Sequence, residues 1–468
     1  MRIIAAYFVS HAMTVVGTIA SFAVMVRLFA SRRTPQSIVA WFLGLVFMPF
    51  VAIPLYLALG RRKFPRRAKG PRLSTTRGAP DAEDGRADWP IAEVLRGGGV
   101  APPRRGNAFE LLTTGEGAYT RLMRLIADSE RSIDLTMFIL GNDETGRAVV
   151  DALVARAARG IALRVILDAV GSRRSLRRAE RALGAVGAEV RAFMPLRHSL
   201  VAGRTNLRSH RKLAVFDGTH VFAGGMNIAT EYMGPGSSST SLPRWRDLAA
   251  VASGRVAEDA AALFESDWAF CGGSKASPAA RDPSEPSVAH GEAVLQVVPS
   301  GPDMVTDTVY DLFLTGIFGA RDRIAIVTPY YVPDDLLQHA LVLASRRGVR
   351  IDLVVPARSN HRITDFARRN LLRELRVAGV RLHYYDRGMV HAKAMVIDAS
   401  FAYVGSPNFD MRSLFLNYEN ALCAYSPDAI SQIRSFIDDL ISECVTKMPP
   451  QREHLIAEQL ARMLAPEL

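Results

Sequence analysis

Two stretches decide the reading of this chain: "SHRKLAVFDGTHVFAGGMN" (209–227) and "VHAKAMVIDASFAYVGSPN" (390–408). His210, Lys212, Asp217, Gly225 and Asn227 of the first recur as His391, Lys393, Asp398, Ser406 and Asn408 of the second, at a constant offset of 181 positions. Alternate residues of a strand share a face, so each copy presents an imidazole and an ammonium together. Coincidence fails to explain two in-phase copies, and a common chemical purpose does.

The surroundings repeat as well. "RSIDLTMFIL" (131–140) reads as a strand, "GRAVVDALVARAARG" (146–160) as a helix and "IALRVILDAV" (161–170) as a buried strand. "DRIAIVTPYYV" (322–332), "DDLLQHALVLASRRG" (334–348) and "VRIDLVVP" (349–356) give the same order, and "AVGAEVRAF" (185–193) is matched by "VAGVRLHYY" (377–385). The expected class is α/β, with one unit at 107–271 and a second at 292–468 related by a pseudo-twofold axis. The Pro- and Ser-rich segment 272–291 reads as the joint, and the Arg-, Gly- and Pro-rich segment 61–106 as a basic linker.

Ahead of the linker, Ile3–Val26 and Ser37–Gly60 are uncharged runs of about 24 residues, the length expected of two transmembrane helices. Residues 1–60 therefore read as a membrane hairpin. Arg61, Arg62, Lys63, Arg66, Arg67, Lys69 and Arg72 follow it and would hold the remainder of the chain on the cytoplasmic side of the membrane. Among 468 residues the formal net charge is +12, which favours an acidic partner without choosing between lipid and nucleic acid. Cys271, Cys423 and Cys444 are too scattered for a zinc cluster or a disulfide framework.

Imidazole serves as nucleophile or general acid near neutral pH. The ammonium groups of Lys212 and Lys393 and the amides of Asn227 and Asn408 suit the non-bridging oxygens of a phosphate. Gly224, Gly225 and Gly405, with Ser406, would admit the phosphate close to the backbone. Two imidazoles flanking one phosphorus atom could attack on one side and protonate the leaving oxygen on the other, so a phosphodiester is the expected substrate. Lysine is a poor metal ligand and neither copy has metal-site spacing, so neither metal nor cofactor is expected. Asp217 and Asp398 complete the pattern but fall on the opposite parity, which suits pinning a strand end. Orienting carboxylates are sought in Asp247 of "RWRDL" and Glu419 of "NYENA", each expected to serve the histidine that precedes it in its own copy.

The doubled His-x-Lys-x4-Asp pattern resembles the phospholipase D superfamily. "FAGGMNIATEYM", "RWRDL", "FESDW" (264–268), "TPYYVPDDLL" (328–337), "VGSPNFDMRSLFLNYE" (404–419) and the closing "ARMLAPEL" resemble the bacterial cardiolipin synthases. The resemblance implies two duplicated phospholipase D-like α/β units with mixed sheets, preceded by transmembrane helices. It also implies a phosphohistidine intermediate, no metal, and transfer of a phosphatidyl group from one phosphatidylglycerol to another with release of glycerol. His210, Lys212, Asp217, His391, Lys393 and Asp398 take the catalytic positions of its motifs, with His210 as the nucleophile and His391 as the acid. A phospholipase or nuclease using water is the alternative, although the membrane-like segment favours a lipid over nucleic acid. Thr136, Met137, Ala229 and Thr230 depart from the common pattern beside the motifs and bear on the acceptor alcohol.

Overall fold

The apolar residues of Lys212–Phe216 and Ala394–Ile397 run on both sides of the chain, as a strand covered on two faces requires. In a computed structural model these become β5 and β13 of one fourteen-stranded sheet. The structure describes residues 2–29, 35–59, 89–195, 206–236, 244–273, 291–446 and 454–463. Most of the linker, most of the joint and residues 237–243 of the polar insert lie outside them.

The first half contributes β1 (Arg104–Leu112), β2 (Ser132–Met137), β3 (Ala162–Asp168), β4 (Glu189–Phe193), β5 (Lys212–Phe216), β6 (His220–Gly224) and β7 (Ala249–Ser253). The second contributes β8 (Ala293–Ser300), β9 (Arg323–Val327), β11 (Arg350–Pro356), β12 (Arg381–Tyr385), β13 (Ala394–Ile397), β14 (Phe401–Gly405) and β16 (Glu419–Ala424); the short β10 (Tyr331–Val332) and β15 (Phe409–Asp410) pair separately. The sheet order β12-β11-β9-β13-β14-β16-β8-β1-β7-β6-β5-β2-β3-β4 reads equivalently from either edge to the β8–β1 centre. The sheets of the two halves are thus joined into one. Within each half, β2–β3–β4 and β9–β11–β12 pair in parallel, and the strands bearing His-x-Lys pair antiparallel to β2 and β9.

The connections follow from their ends. Asp143 caps the helix Glu144–Ala157 by accepting from Gly146 N, and Asp334 caps Asp335–Arg346 by accepting from Leu337 N. Gly160 and Gly348, at φ of 90° and 92°, turn these helices back into β3 and β11. Outer helices cover one face of each half, burying Val149, Leu153 and Val165 in the first and Leu337, Leu341 and Leu353 in the second. On the other face, the helices Val256–Phe270 and Pro427–Ser442 share one apolar cluster drawn from both halves, including Leu263, Val215, Ile433 and Val396. Within the stretch read as linker, Pro90–Gly97 forms a helix whose Ile91, Ala92 and Leu95 are buried.

Met1–Phe64 with Met194–Leu207 form a unit of their own. Here the expectation of two transmembrane helices is corrected: among the described residues no helix is long and apolar enough to cross a membrane. The second apolar run is divided at Met48 into helices of 13 residues (Pro35–Phe47) and 11 residues (Pro49–Leu59). Proline opens a helix readily but continues one poorly, and each piece falls short of the roughly 20 residues a hydrocarbon core demands. The first run forms a helix over Arg2–Phe29. Val24, Leu28, Leu45, Ala52 and Tyr56 form a small core within this unit, with Trp41 edge-on to Tyr56.

Candidate active site

The two His-x-Lys strands are held where the halves meet, each by a segment of the opposite half. His210 N donates to Tyr418 O at 2.8 Å and Tyr418 N to Arg208 O at 2.9 Å; His391 N donates to Arg246 O at 2.7 Å and Arg246 N to Met389 O at 2.9 Å. These are two short parallel bridges, Ser209 with Tyr418 and Arg246 with Val390. They deliver the carboxylates in a crossed arrangement. His210 Nδ1 lies 2.9 Å from Glu419 Oε2, and His391 Nδ1 lies 2.6 Å from Asp247 Oδ2. The sequence expectation that each histidine uses the carboxylate of its own half is therefore corrected. β7 and β16 do lie in their own halves, but Asp247, two residues ahead of β7, and Glu419, the first residue of β16, reach across the junction.

Both ring Nδ1 atoms face carboxylates; at His210, where Glu419 is the partner of Nδ1, a proton held there leaves Nε2 as the reactive nitrogen. Lys212 Nζ donates to His210 O at 2.7 Å, and Lys393 Nζ donates to His391 O while standing 2.6 Å from His391 Nδ1 and 2.9 Å from its Nε2. All four side chains are buried. Burial pushes His210 down to about 4 against the pull of Glu419, and pushes His391 down to about 3 with the help of the Lys393 ammonium. Lys212 falls to about 7 through burial and the neighbouring Lys393, and Lys393 to about 8 through burial. Burial works against the charged forms of Glu419 and Asp247 too, but their cationic partners outweigh it and hold both carboxyls below their ordinary range. The ring of each half thus senses the ammonium of the other, which works with burial against its charged form.

The matched positions that follow each lysine are not equivalent. A Cβ at Gly225 would collide with Asp247 Oδ1, whereas Ser406 donates its hydroxyl to Glu419. Gly224 and Gly405 have similar reasons: a Cβ there would meet the backbone of Leu248 and Ala249, or of Asn420 and Ala421. The glycines expected to admit phosphate instead admit the carboxylate strands, and Ser406 supports Glu419. Asn227 Oδ1 accepts from Ile139 N at 3.1 Å, while Asn408 turns its amide nitrogen to Ser413 Oγ at 3.3 Å.

Asp217 and Asp398 stand apart from the imidazoles. Asp217 accepts from the backbone N–H groups of Glu130, Arg131 and Ser132 at 2.7 to 2.9 Å, and Asp398 from those of Arg321, Asp322 and Arg323 at 2.8 to 2.9 Å. Both adopt positive φ, 53° and 50°, in the turn after their strand. Each ties the end of its strand to the start of the neighbouring β2 or β9.

Sequence reasoning missed the aromatic walls. Tyr232 and Trp245 pack on His391 with ring centres 5.0 and 5.4 Å away, Tyr330 approaches at 6.2 Å, and Phe138 packs on His210 at 4.9 Å. Tyr232 and Trp245 each lie within a few residues of a motif position, the one signal that could have found them. A cavity of about 190 Å³ opens against His210 and Asn408, with Tyr330 and the exposed His361 at its wall.

Comparison with known proteins bears on the same residues. Residues 122–268 and 314–441 match the family described as cardiolipin synthase, PLD-like domain, and residues 18–61 match the phospholipase D-nuclease N-terminal family. The chain is 29% identical over 436 residues to cardiolipin synthase 1 of Bacillus anthracis, covering 88% of this chain and 84% of that one. It is also 29% identical over 459 residues to the cardiolipin synthase of Geobacillus kaustophilus strain HTA426, covering 93% and 90%. The crystal structure of phosphatidylserine synthase from Haemophilus influenzae Rd KW20 shares the fold, with a TM-score of 0.58 at 14% identity over 81% of this chain and 97% of that one. With the family match spanning both halves of the sheet and both His-x-Lys strands, the chain belongs to the cardiolipin synthase family of phospholipase D-like proteins.

Proposed function

We infer that this protein is a cardiolipin synthase-type phosphatidyltransferase whose lipid substrate is phosphatidylglycerol. The observation that carries the reading is the pair of crossed imidazole–carboxylate contacts, His210 with Glu419 and His391 with Asp247, converging from two halves. In the proposed reaction His210 Nε2 attacks phosphorus, the bond to the glycerol oxygen breaks, and His391 protonates that oxygen as glycerol leaves. The primary hydroxyl of a second phosphatidylglycerol then gives its proton to His391 and attacks phosphorus, and the P–N bond breaks to release cardiolipin. Lys212 and Lys393, with Asn227 and Asn408, would neutralise the non-bridging oxygens. The depressed imidazoles are consistent with this order, because the negative charge of an arriving phosphodiester favours protonation of the ring that serves as the acid. Asp217 and Asp398 are proposed to act through strand placement, and no metal is required in any step.

The repeats at 107–271 and 292–468 are proposed as the catalytic pair. Membrane attachment is assigned to the apolar residues exposed on the N-terminal helices, among them Val16, Phe22, Phe47 and Phe50. The basic cluster after residue 60 supports placement against the anionic cytoplasmic face of a bacterial inner membrane. The deciding experiment supplies purified protein with phosphatidylglycerol labelled in its headgroup. Cardiolipin with equimolar free glycerol supports the reading, whereas phosphatidic acid with glycerol would make the protein a hydrolase.

A further inference from the structure

Two exposed loops stand beside the site and play no part in the two-histidine reaction. One, "AVGSRRSLRR" (169–178), follows β3; the other, "ARSNHRI" (357–363), follows the equivalent strand β11. Both leave the carboxyl end of a parallel strand, the end at which open α/β sheets receive their ligands. Each is tied to a ring that walls the site. In the first, Ser172 Oγ donates to Phe138 O at 2.9 Å and accepts from Leu140 N at 3.0 Å, and Phe138 packs on His210. In the second, Asn360 Oδ1 accepts from Tyr330 Oη–H at 2.6 Å, and His361 lines the cavity that reaches His210.

The two loops turn the same kinds of side chain outward. Arg173, Arg174, Arg177 and Arg178 of the first and Arg358 and Arg362 of the second are exposed, and their side chains make no hydrogen bond or ion pair among the described residues. Neither segment contains an acidic residue. The flanking carboxylates are engaged: Asp168 accepts from Val170, Gly171 and Ser209 N–H, and Asp365 accepts from Ser359 N–H at 2.9 Å and pairs with Arg368. Arg177 and Arg178 lie in the first turn of the helix Leu176–Gly184, where the helix dipole disfavours cations, so helix stability does not account for them. Beside these charges Val170 is 43% exposed and Ile363 50% exposed. One exposed aliphatic side chain is ordinary. One in each of two equivalent loops, next to unpaired arginines and beside the same site, matches a particular kind of surface. Anionic headgroups take the guanidinium groups, and the hydrocarbon beneath them takes Val170 and Ile363. Nucleic acid would satisfy the arginines alone, and neither segment offers Phe, Tyr or Trp for bases to stack on.

We propose that segments 169–178 and 357–363 form a two-part seat for the surface of an anionic bilayer, holding the cavity against the headgroups. The proposal rests on the lipid-substrate reading and adds to it the face through which the lipid enters. Attachment through the N-terminal helices keeps the chain near a membrane; the seat orients the cavity toward it.

The test uses the full chain bound to vesicles of acyl-brominated phosphatidylcholine, prepared with or without phosphatidylglycerol. Ile363→Trp and Val170→Trp each report contact with hydrocarbon through quenching by bromine, with the wild type as the blank for its 4 native tryptophans. Both reporters should be quenched when phosphatidylglycerol is present and much less when it is absent. An arginine at an anionic surface favours binding about fivefold, so R358Q/R362Q in the I363W chain should lower the ratio of seated to free loop about tenfold or more, and R358K/R362K should largely keep it. Without the reporter, R358Q/R362Q should slow cardiolipin formation from vesicle phosphatidylglycerol about tenfold and leave turnover of short-chain phosphatidylglycerol, dissolved as monomers, unchanged. Cardiolipin formed with neither reporter quenched would overturn the seat and leave the transferase reading standing. Arginine-dependent quenching in a chain that makes no cardiolipin would overturn the transferase reading and leave the seat standing. Equal loss of turnover on monomeric and vesicle substrate would refute the seat, because the arginines would then serve the site itself. A single-stranded oligonucleotide bound through the same arginines, with no quenching by lipid, would assign the surface to nucleic acid and also overturn the proposal. Should I363W fail to fold, V170W with R173Q/R174Q carries the same comparison.

Discussion

Glu419→Gln and Asp247→Asn separate the crossed arrangement from the one in which each half is self-sufficient. Glu419 lies 2.9 Å from His210 Nδ1, and both groups are buried. At an effective dielectric of about 20, a full imidazolium–carboxylate pair at this distance is worth roughly 6 kcal/mol. With about half of the ring charge developed when Nε2 attacks phosphorus, the loss in the transition state is about 3 kcal/mol, or about a hundredfold in rate. Glutamine can also offer its own N–H to Nδ1 and trap the ring proton on Nε2, which raises the penalty toward about ten thousandfold. Asp247→Asn should instead weaken the acid, because Asp247 lies 2.6 Å from His391 Nδ1. The assay is acid-quenched formation of the phosphatidyl-enzyme from a substrate whose leaving group needs no proton, followed by peptide mapping. E419Q should form label about a hundredfold or more slowly on His210, whereas D247N should label at close to the wild-type rate and stall only with phosphatidylglycerol. Rapid labelling in E419Q together with slow labelling in D247N would refute the crossed pairing as the working arrangement.

Phosphate analogues should bind more weakly as pH rises, because Lys212 and Lys393 lose their protons near pH 7 and 8. Calorimetry in buffers of different ionisation enthalpy should show proton uptake on binding vanadate or phosphate between pH 7 and 9, and proton release would contradict it. Stability should fall on the acid side: His210 is held at about 4, below its unfolded 6.5, so its contribution is present above pH 6.5 and lost as pH falls toward 4. That contribution is about 3 kcal/mol for His210 alone, and His391 adds to it in the same direction, measurable by denaturant titration from pH 7 to 4. Asp217→Ala removes the acceptor of three backbone N–H groups at a positive φ and should cost about 2 to 3 kcal/mol of stability. Asp217→Asn should cost less, and equal losses would speak against the turn-pinning role. Transfer activity should survive exhaustive chelation, and a loss restored by one particular divalent ion would overturn the two-histidine chemistry.

Much of this was legible because strand periodicity and duplication are local properties. The offset of 181 fixed the correspondence of His210 with His391, and the strand–helix–strand order around each placed both just ahead of inner strands of the sheet. Contacts between halves are not local, and there the reading failed. Glu419 follows His391 in sequence by 28 positions, yet it serves a histidine 209 positions away. Nothing in the pattern of a single half reveals which way the residue opening β16 projects. The apolar N-terminal runs misled for a related reason: composition gave their length, but Pro49 divides the second into two helices. That the buried side-chain oxygens of Asn408 and Asn417 have no hydrogen-bond partner among the described residues was invisible in sequence, because satisfaction of a polar atom depends on every element packed around it.

The crossing explains how two nearly equal halves can take unequal roles. Each histidine depends on a carboxylate from the other half, so neither half assembles a working site alone. Once both carboxylates come from across the junction, small differences between the halves act directly on the partner histidine. Glu419 is the longer side chain, and Ser406 donates to it; Asp247 is shorter, and Gly225 leaves room for it without contributing a hydroxyl. His391 is enclosed by Tyr232, Trp245 and Tyr330 and lies beside the Lys393 ammonium, whereas His210 meets Phe138 and opens onto the cavity. The ring that faces the cavity is the one with room for a covalent lipid adduct. The enclosed ring is suited to passing a proton, because its charge is costly until an anion arrives and is surrendered readily afterward. Asymmetry of role therefore follows from the two carboxylates and the walls around the rings, and the motif residues themselves can remain identical.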